Sequence, residues 1–201
     1  MRGKILGGWV ILAALAPAGQ AANLLQNPDF DTGAAGWAVS TTGNAAVTYV
    51  ANDGSPAAGS VDLSGTATVL DVASVQISQC LTAFGPPPWV FGARLRQLAA
   101  SSSFAITVSA EFLASPNCGP GLGATGAASP GVTVPGVQGP YVQYSGSVAA
   151  DPLPGGGPTQ SVLVRVLLSS DISGTTTYRL DQVYFGPPGT TPVGLTGFDV
   201  E

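Results

Sequence analysis

At 201 residues the chain can bury one sizeable core and is short for two. Six basic residues against eleven acids give a net charge of −5, and there is no histidine. A surface of this sign repels phosphate backbones, which excludes nucleic acid as a partner. Only 8% of residues are charged but 45% are apolar, so the chain falls outside the disordered class, and its 28 glycines and 17 prolines exclude an architecture of long helices.

The first residues read as targeting chemistry. Arg2 and Lys4 precede an apolar run from Ile5 to Leu15, broken by Gly7 and Gly8, and Pro17, Gly19, Ala21 and Ala22 supply a small-residue cleavage site. Residues 1–21 are therefore expected to be a signal peptide and 22–201 a single domain. The expected location is secreted: extracellular, cell-surface or periplasmic. The remaining cations, Arg94, Arg96, Arg165 and Arg179, face eleven acids, a net charge of −7 for the exported part. No other apolar run is long enough to span a bilayer.

The exported part opens on "NLLQNPDFDTGAAGW", Asn23 to Trp37. Asn27-Pro28 predicts a turn with extended backbone before the proline. Phe30 and Trp37 are then placed to plug the core across a flexible "TGAAG". Short strands are expected at Ala45–Ala51, Gly59–Ser64 and Val72–Leu81, and "GPPPW" rigidly introduces the next one. In "WVFGARLRQL", Trp89, Phe91, Ala93 and Leu95 alternate with Val90, Gly92, Arg94 and Arg96. "FAITVSAEF" is the cleanest signal in the chain: Phe104, Ile106, Val108, Ala110 and Phe112 on one face, Ala105, Thr107, Ser109 and Glu111 on the other.

The stretch "SPNCGPGLGATGAASPGVTVPGVQGP" that follows has no core-forming pattern and reads as a mobile surface flap. Further strands are expected at Tyr141–Ala149, in "SVLVRVLLSS" and in "TTTYRLDQVYFG". In "SVLVRVLLSS", Val162, Val164, Val166 and Leu168 oppose Leu163, Arg165 and Leu167. Eight or so short strands with Gly/Pro/Ser turns predict an all-β fold, an antiparallel β-sandwich. Cys80 and Cys118 fit one disulfide in an oxidising compartment.

The opening "NLLQNPDFDTGAAGW" and the closing "YRLDQVYFG", with "VQISQC", "VFGARLR" and "AITVSAEFLASPNC" between them, resemble the galactose-binding-like jelly-roll modules, in particular carbohydrate-binding modules of the CenC-like, family 4/9 type. The resemblance spans about Asn23 to Gly186 and implies a jelly-roll β-sandwich that recognises a glycan or polysaccharide. It also implies a structural calcium ion joining the first segment to the last strand, with Asp31 and Asp181 at the matching acids. Gln182 stands where those modules carry a second acid. Strand parity places Asp181 with Val183 and Phe185, toward the apolar layer, where a carboxylate needs a cation or several donors. Pairing of Asp181 with Arg179, and a turn-capping role for Asp31, is the other reading.

Without histidine, triad chemistry and histidine-built metal centres are impossible, and neither a P-loop nor a dinucleotide fingerprint is present. Glu111 is the sole glutamate besides Glu201 and reads as a strand residue salt-bridged to Arg94 or Arg96. No enzymatic activity is expected. For non-catalytic sugar recognition the candidate ligand-binding residues are Trp89, Tyr141, Tyr144, Arg94, Arg96 and Glu111, with Gln76 and Gln143 as further polar partners. Tyr141 and Tyr144 have opposite strand parity, so only one can face a given groove. The rival expectation is an exported structural or protein-interaction sandwich at the cell surface without sugar affinity.

Overall fold

The computed structural model describes residues 22–54, 58–101, 105–120, 123–132, 139–153, 157–170 and 173–190, with the backbone alone for 124–132 and Ser170. The expected leader and Phe104 lie outside these residues. Ten strands run through the described chain: β1 (Ala38–Thr42), β2 (Asn44–Val50), β3 (Ser60–Ala67), β4 (Ala73–Leu81), β5 (Trp89–Ala100), β6 (Ala105–Leu113), β7 (Gly123–Val132), β8 (Val142–Val148), β9 (Ser161–Ser170) and β10 (Gly174–Gly186). All pairings are antiparallel, in two five-stranded sheets of order β1-β4-β9-β6-β7 (sheet A) and β2-β3-β10-β5-β8 (sheet B). This is the expected jelly-roll β-sandwich.

The period-two stripes meet in the interior. Ile77, Ile106, Val108, Phe112, Val162, Val164 and Val166 from sheet A face Val61, Leu63, Phe91, Leu95, Leu180, Val183 and Phe185 from sheet B, all essentially inaccessible to water. At about 1.5–3 kcal/mol for each large apolar side chain buried, this layer is the main stabilising element. Phe112 stacks on Trp89 at 5.0 Å between ring centroids. Phe30 and Trp37 do plug the core, 5.4 Å apart, and Trp37 Nε1 donates to the Asn27 carbonyl at 3.1 Å.

Two expectations fail locally. Asn27 is not extended before Pro28 but left-handed, with φ of 45°. Its side chain compensates by donating to the carbonyls of Gly33 at 2.7 Å and Ala35 at 3.0 Å, which wraps the segment around it. The small-residue stretch read as a flap contains a 3-10 turn at Pro116–Cys118 and the edge strand β7. Strand pairing there comes from the main chain along β6, which a sequence of Gly, Ala and Ser does not announce.

The disulfide forms between Cys80, at the end of β4, and Cys118, in the turn after β6. In β10 a bulge at Gln182, with φ of 50° and a register shift between Asp181 and Val183, takes up one residue. Everything beyond it changes face.

Candidate functional site

Residues directly opposite each other in an antiparallel ladder share a face, so the pairings define what each sheet shows on its outer side. On sheet A one row runs Ser40, Gln76, Leu167, Thr107, and the next runs Ala38, Ser78, Arg165, Ser109. A third joins Cys80, Leu163 and Glu111. Arg165 Nη2 donates to Glu111 Oε2 in the middle of this face, and both side chains keep nearly a third of their surface, 30% and 28%. Around the pair lie hydroxyls, one amide and the aliphatic sides of Leu163 and Leu167. No aromatic ring stands in these rows.

Sheet B is finished differently. Asp62, Arg179 and Arg96 form one row across β3, β10 and β5, and Asp181, Arg94 and Gln143 form the next. Arg179 donates to both oxygens of Asp62, from Nε at 2.6 Å and from Nη2 at 2.8 Å, a bidentate pair. From the segment between β2 and β3, Asp53 bridges Arg179 and Arg96, and the Arg96 guanidinium lies 4.8 Å from the Tyr141 ring centroid. The Arg179 guanidinium is held more firmly protonated than usual, first by the hydrogen bonds to Asp62 and then by the charges of Asp62 and Asp53 acting against its burial. Burial, and secondarily the charge of Asp53, push the Tyr141 phenol up to about 12, while the charge of Arg96 opposes them.

The bulge corrects the parity expectation for Asp181. It stays on the outer side with Arg179 and directly opposite Arg94, while Val183 and Phe185 turn inward. It is nonetheless only 1% exposed.

The six predicted ligand-binding residues do not form one site. Trp89 is a core residue at 2% exposure, its indole N–H given to the Gly85 carbonyl at 2.9 Å, so it offers no stacking surface. Tyr144 packs against the core from β8, opposite Ala93. Tyr141, Arg94 and Arg96 belong to the charged side of sheet B, which confirms the opposite parities of the two tyrosines. Glu111 lies on the other sheet, and its partner is Arg165 rather than Arg94 or Arg96. Arg165 is the residue that sequence reasoning passed over. An arginine between two leucines on the polar side of a valine stripe was the available signal.

For the expected metal, Asp31 is exposed on the first segment, where its carbonyl accepts the Tyr49 hydroxyl at 2.9 Å. A Cβ at Gly59 would come within 3.1 Å of Asp31 Oδ1, so the close approach there needs glycine, whose φ is 113°. Nearby Asp29 is harder to ionise than usual, first through burial and then through the charge of Asp31, against a hydrogen bond from Gln182. Among the described residues no three His, Cys, Asp or Glu are grouped so that they could hold a metal ion by themselves. Calcium takes six to eight oxygens, so the two acids fit it only with main-chain carbonyls completing the set.

No protein-family model matches the chain, and no curated protein sequence matches it. Solved structures do. The enzymatically active domain of tailspike protein 4 of bacteriophage CBA120 superposes with a TM-score of 0.56 at 19% identity, over 82% of this chain and 21% of that one. The chain thus spans about a fifth of the tailspike domain's length. The module TmCBM61, solved in complex with β-1,4-galactotriose, gives 0.51 at 16% identity over 82% of this chain and 98% of that one. A xylan-binding domain from CBM22 gives 0.51 at 12% identity over 88% and 99%. Identities this low establish a shared β-sandwich fold. Among the described residues no helix is long and apolar enough to cross a membrane.

Proposed function

We propose that the protein is an exported, non-catalytic carbohydrate-binding module that holds a glycan chain on the outer face of sheet A. The observation that carries this reading is the Arg165–Glu111 pair, each side chain nearly a third exposed, set beside Gln76 and the flanks of Leu163 and Leu167, with Ser78 and Ser109 buried beneath. A glycan offers hydroxyls to a charged pair and an amide, and C–H surfaces to aliphatic side chains. The complementary donors and acceptors are already oriented here by one ion pair, which limits the entropy lost on binding. Whole-domain likeness to a galactotriose-bound module and a xylan-binding domain supports this reading. So does the lack of any histidine with which to build a triad. The CenC-like, family 4/9 type remains the finer proposal within this class.

Affinity electrophoresis through gels of xylan, β-1,4-galactan and β-glucan tests it. Wild-type protein is retarded by at least one polymer, and Arg165→Ala and Gln76→Ala each reduce retardation about tenfold while the protein stays folded at the temperature of the gel. Free migration in plant, fungal and bacterial polysaccharides alike overturns the proposal.

The calcium ion is carried as a separate proposal. Asp31 and Asp181 would hold it with main-chain carbonyls, tying the first segment to β10, where it would supply charge neutralisation. The burial of the Asp181 carboxylate and the glycine-only approach of Gly59 to Asp31 support this. Calcium at a hundred times its Kd raises stability by about 2.7 kcal/mol. A melting temperature identical in calcium and in chelator, for wild type and Asp31→Asn alike, rejects it.

A further inference from the structure

Each sheet ends in two edge strands, β1 and β7 in sheet A and β2 and β8 in sheet B, and β2 alone among them is unguarded. β1 is only five residues long. β7 contains Pro130, its pairing with β6 slips between Ile106 and Val108, and β8 lies against it on the same side of the sandwich. Short length, proline, irregular register and a covering neighbour are devices that keep an edge from pairing with another chain. β2 has none of them. Its seven residues, "NAAVTYV", hold no charge, proline or glycine and pair with β3 in unbroken register from Asn44 to Val50. The Ala45 amide goes to the Gly43 carbonyl at 3.1 Å, outside the ladder, so by the two-residue alternation Val47 and Tyr49 also turn their main-chain groups to the open side.

At its Asn44 end this edge adjoins apolar surface that a single chain leaves uncovered. Val69 and Leu70 stand 87% and 90% exposed at the apex of the turn from Thr68 to Asp71. The turn is held in shape: the Thr68 amide donates to the Asp71 carbonyl at 3.0 Å, and Thr68 Oγ1 accepts the amides of Leu70 and Asp71 at 3.3 and 3.1 Å. An open cleft of about 640 Å³, lined by Gly43, Asn44, Thr66, Thr68 and Asp71, joins the hairpin to the start of β2.

We propose that a second copy of this chain pairs with β2 antiparallel, about a two-fold axis at Val47, joining two copies of sheet B edge to edge. In this register Val47 meets its own copy, Ala45 meets Tyr49, Ala46 meets Thr48, and Asn44 meets Val50. Ala45, Val47 and Tyr49 lie on the inner side, opposite Gly65, Leu63 and Val61 of β3, so a small residue stands across from a large one where the seam continues the core. A foreign strand would have to match this pattern, whereas the copy does so by symmetry. The chain's net charge of −5 does not oppose the contact, because β2 is neutral and Asp62 beside it on β3 is already paired with Arg179. With Val50 of the copy opposite Asn44, its following residues run toward the cleft and the Val69–Leu70 apex. The edge belongs to sheet B and Arg165 to sheet A, so the pairing stands or falls independently of the polysaccharide reading.

The test is sedimentation velocity of the chain as exported, over a concentration series. The expected result is a monomer–dimer equilibrium with Kd of order 10–100 μM, the range of a small transient interface, and no larger species, because a two-fold contact closes on itself. Ala46 and Thr48 are exposed, and the register sets each across from the other. Ala46→Lys/Thr48→Lys therefore places like charges opposite one another and weakens the dimer at least tenfold, whereas Ala46→Lys/Thr48→Glu places opposite charges there and preserves it. Val69→Ser/Leu70→Ser weakens it several-fold. A monomer at every concentration, growth beyond the dimer, or a dimer indifferent to Ala46→Lys/Thr48→Lys overturns the proposal. Equal loss in the two charge variants overturns the register, and an unshifted equilibrium in Val69→Ser/Leu70→Ser overturns the hairpin contact.

Discussion

On sheet B three aspartates and three arginines face one another: Asp53, Asp62 and Asp181 with Arg94, Arg96 and Arg179. On sheet A one arginine faces one glutamate among serines, a glutamine and leucines. The first set is closed at its centre, where Arg179 is 13% exposed, Asp62 18%, and Arg179 bonds two carboxylates, while Arg96 and Asp53 at its edge are as open as the pair on sheet A. In the second, both members of the ion pair, Arg165 and Glu111, keep nearly a third of their side-chain surface. Charged side chains in a binding-module fold are easily taken as ligand contacts. Here the denser cluster holds its sheet and loop together, and the sparser one is the face proposed to take the glycan.

The largest effect comes from the disulfide, because it tethers the end of sheet A. Cys80 lies beside Leu163 in the row that contains Glu111, and the bridge spans 38 residues. Cys80→Ser/Cys118→Ser should cost about 4 kcal/mol by the chain-entropy relation, or roughly 8–15 °C in calorimetry. If the two faces are anchored separately, hydrogen exchange accelerates in β4 and β6 before it does in β10. Uniform acceleration would show that the sheets share one anchor and would break the comparison.

Next come the paired arginine deletions. Arg179→Met leaves Asp62 without its cation in a mostly buried position and Asp53 with Arg96 alone, and should cost about 2–4 kcal/mol in denaturant unfolding. Polysaccharide retention below the melting point should be unchanged. Arg165→Met removes a pair whose members are each nearly a third exposed, so it should cost under about 1 kcal/mol while abolishing most of the retention. Inverted results, with Arg179 needed for retention and Arg165 for stability, would exchange the roles of the two faces.

Much of the architecture was legible because it rests on period-two patterning: Ile106 to Phe112, Val162 to Leu168 and Trp89 to Leu95 all face inward as their spacing predicts. What escaped was decided by the main chain. The Gln182 bulge moved Asp181 to the other face, and β7 paired along β6 with almost no side chains to advertise it. The candidate site was less legible for a related reason. Strand parity gives a residue's side of its own strand, but not which sheet that strand joins. Glu111 and Arg96, both correctly read as polar-face residues, therefore end on opposite sides of the molecule.

The smallest effect is alkaline and reads the closed face alone. Tyr141 is half-buried under the Arg96 guanidinium, and its phenol is pushed up to about 12, mainly by burial. In the unfolded chain a tyrosine ionises near 10. Between about pH 10 and 12 the unfolded state has therefore lost a proton that the native state keeps. Stability is fully present below pH 10 and declines as pH rises through this window. Tyr141→Phe keeps the ring beneath Arg96 and removes the ionisable group, so its melting temperature should fall less steeply across that range while matching wild type at pH 7. In the wild-type protein one tyrosinate absorbance step should arrive later than those of the exposed tyrosines and vanish in the variant. A wild-type slope equal to that of Tyr141→Phe would mean that the phenol is open to solvent, and that sheet B is no more closed than sheet A.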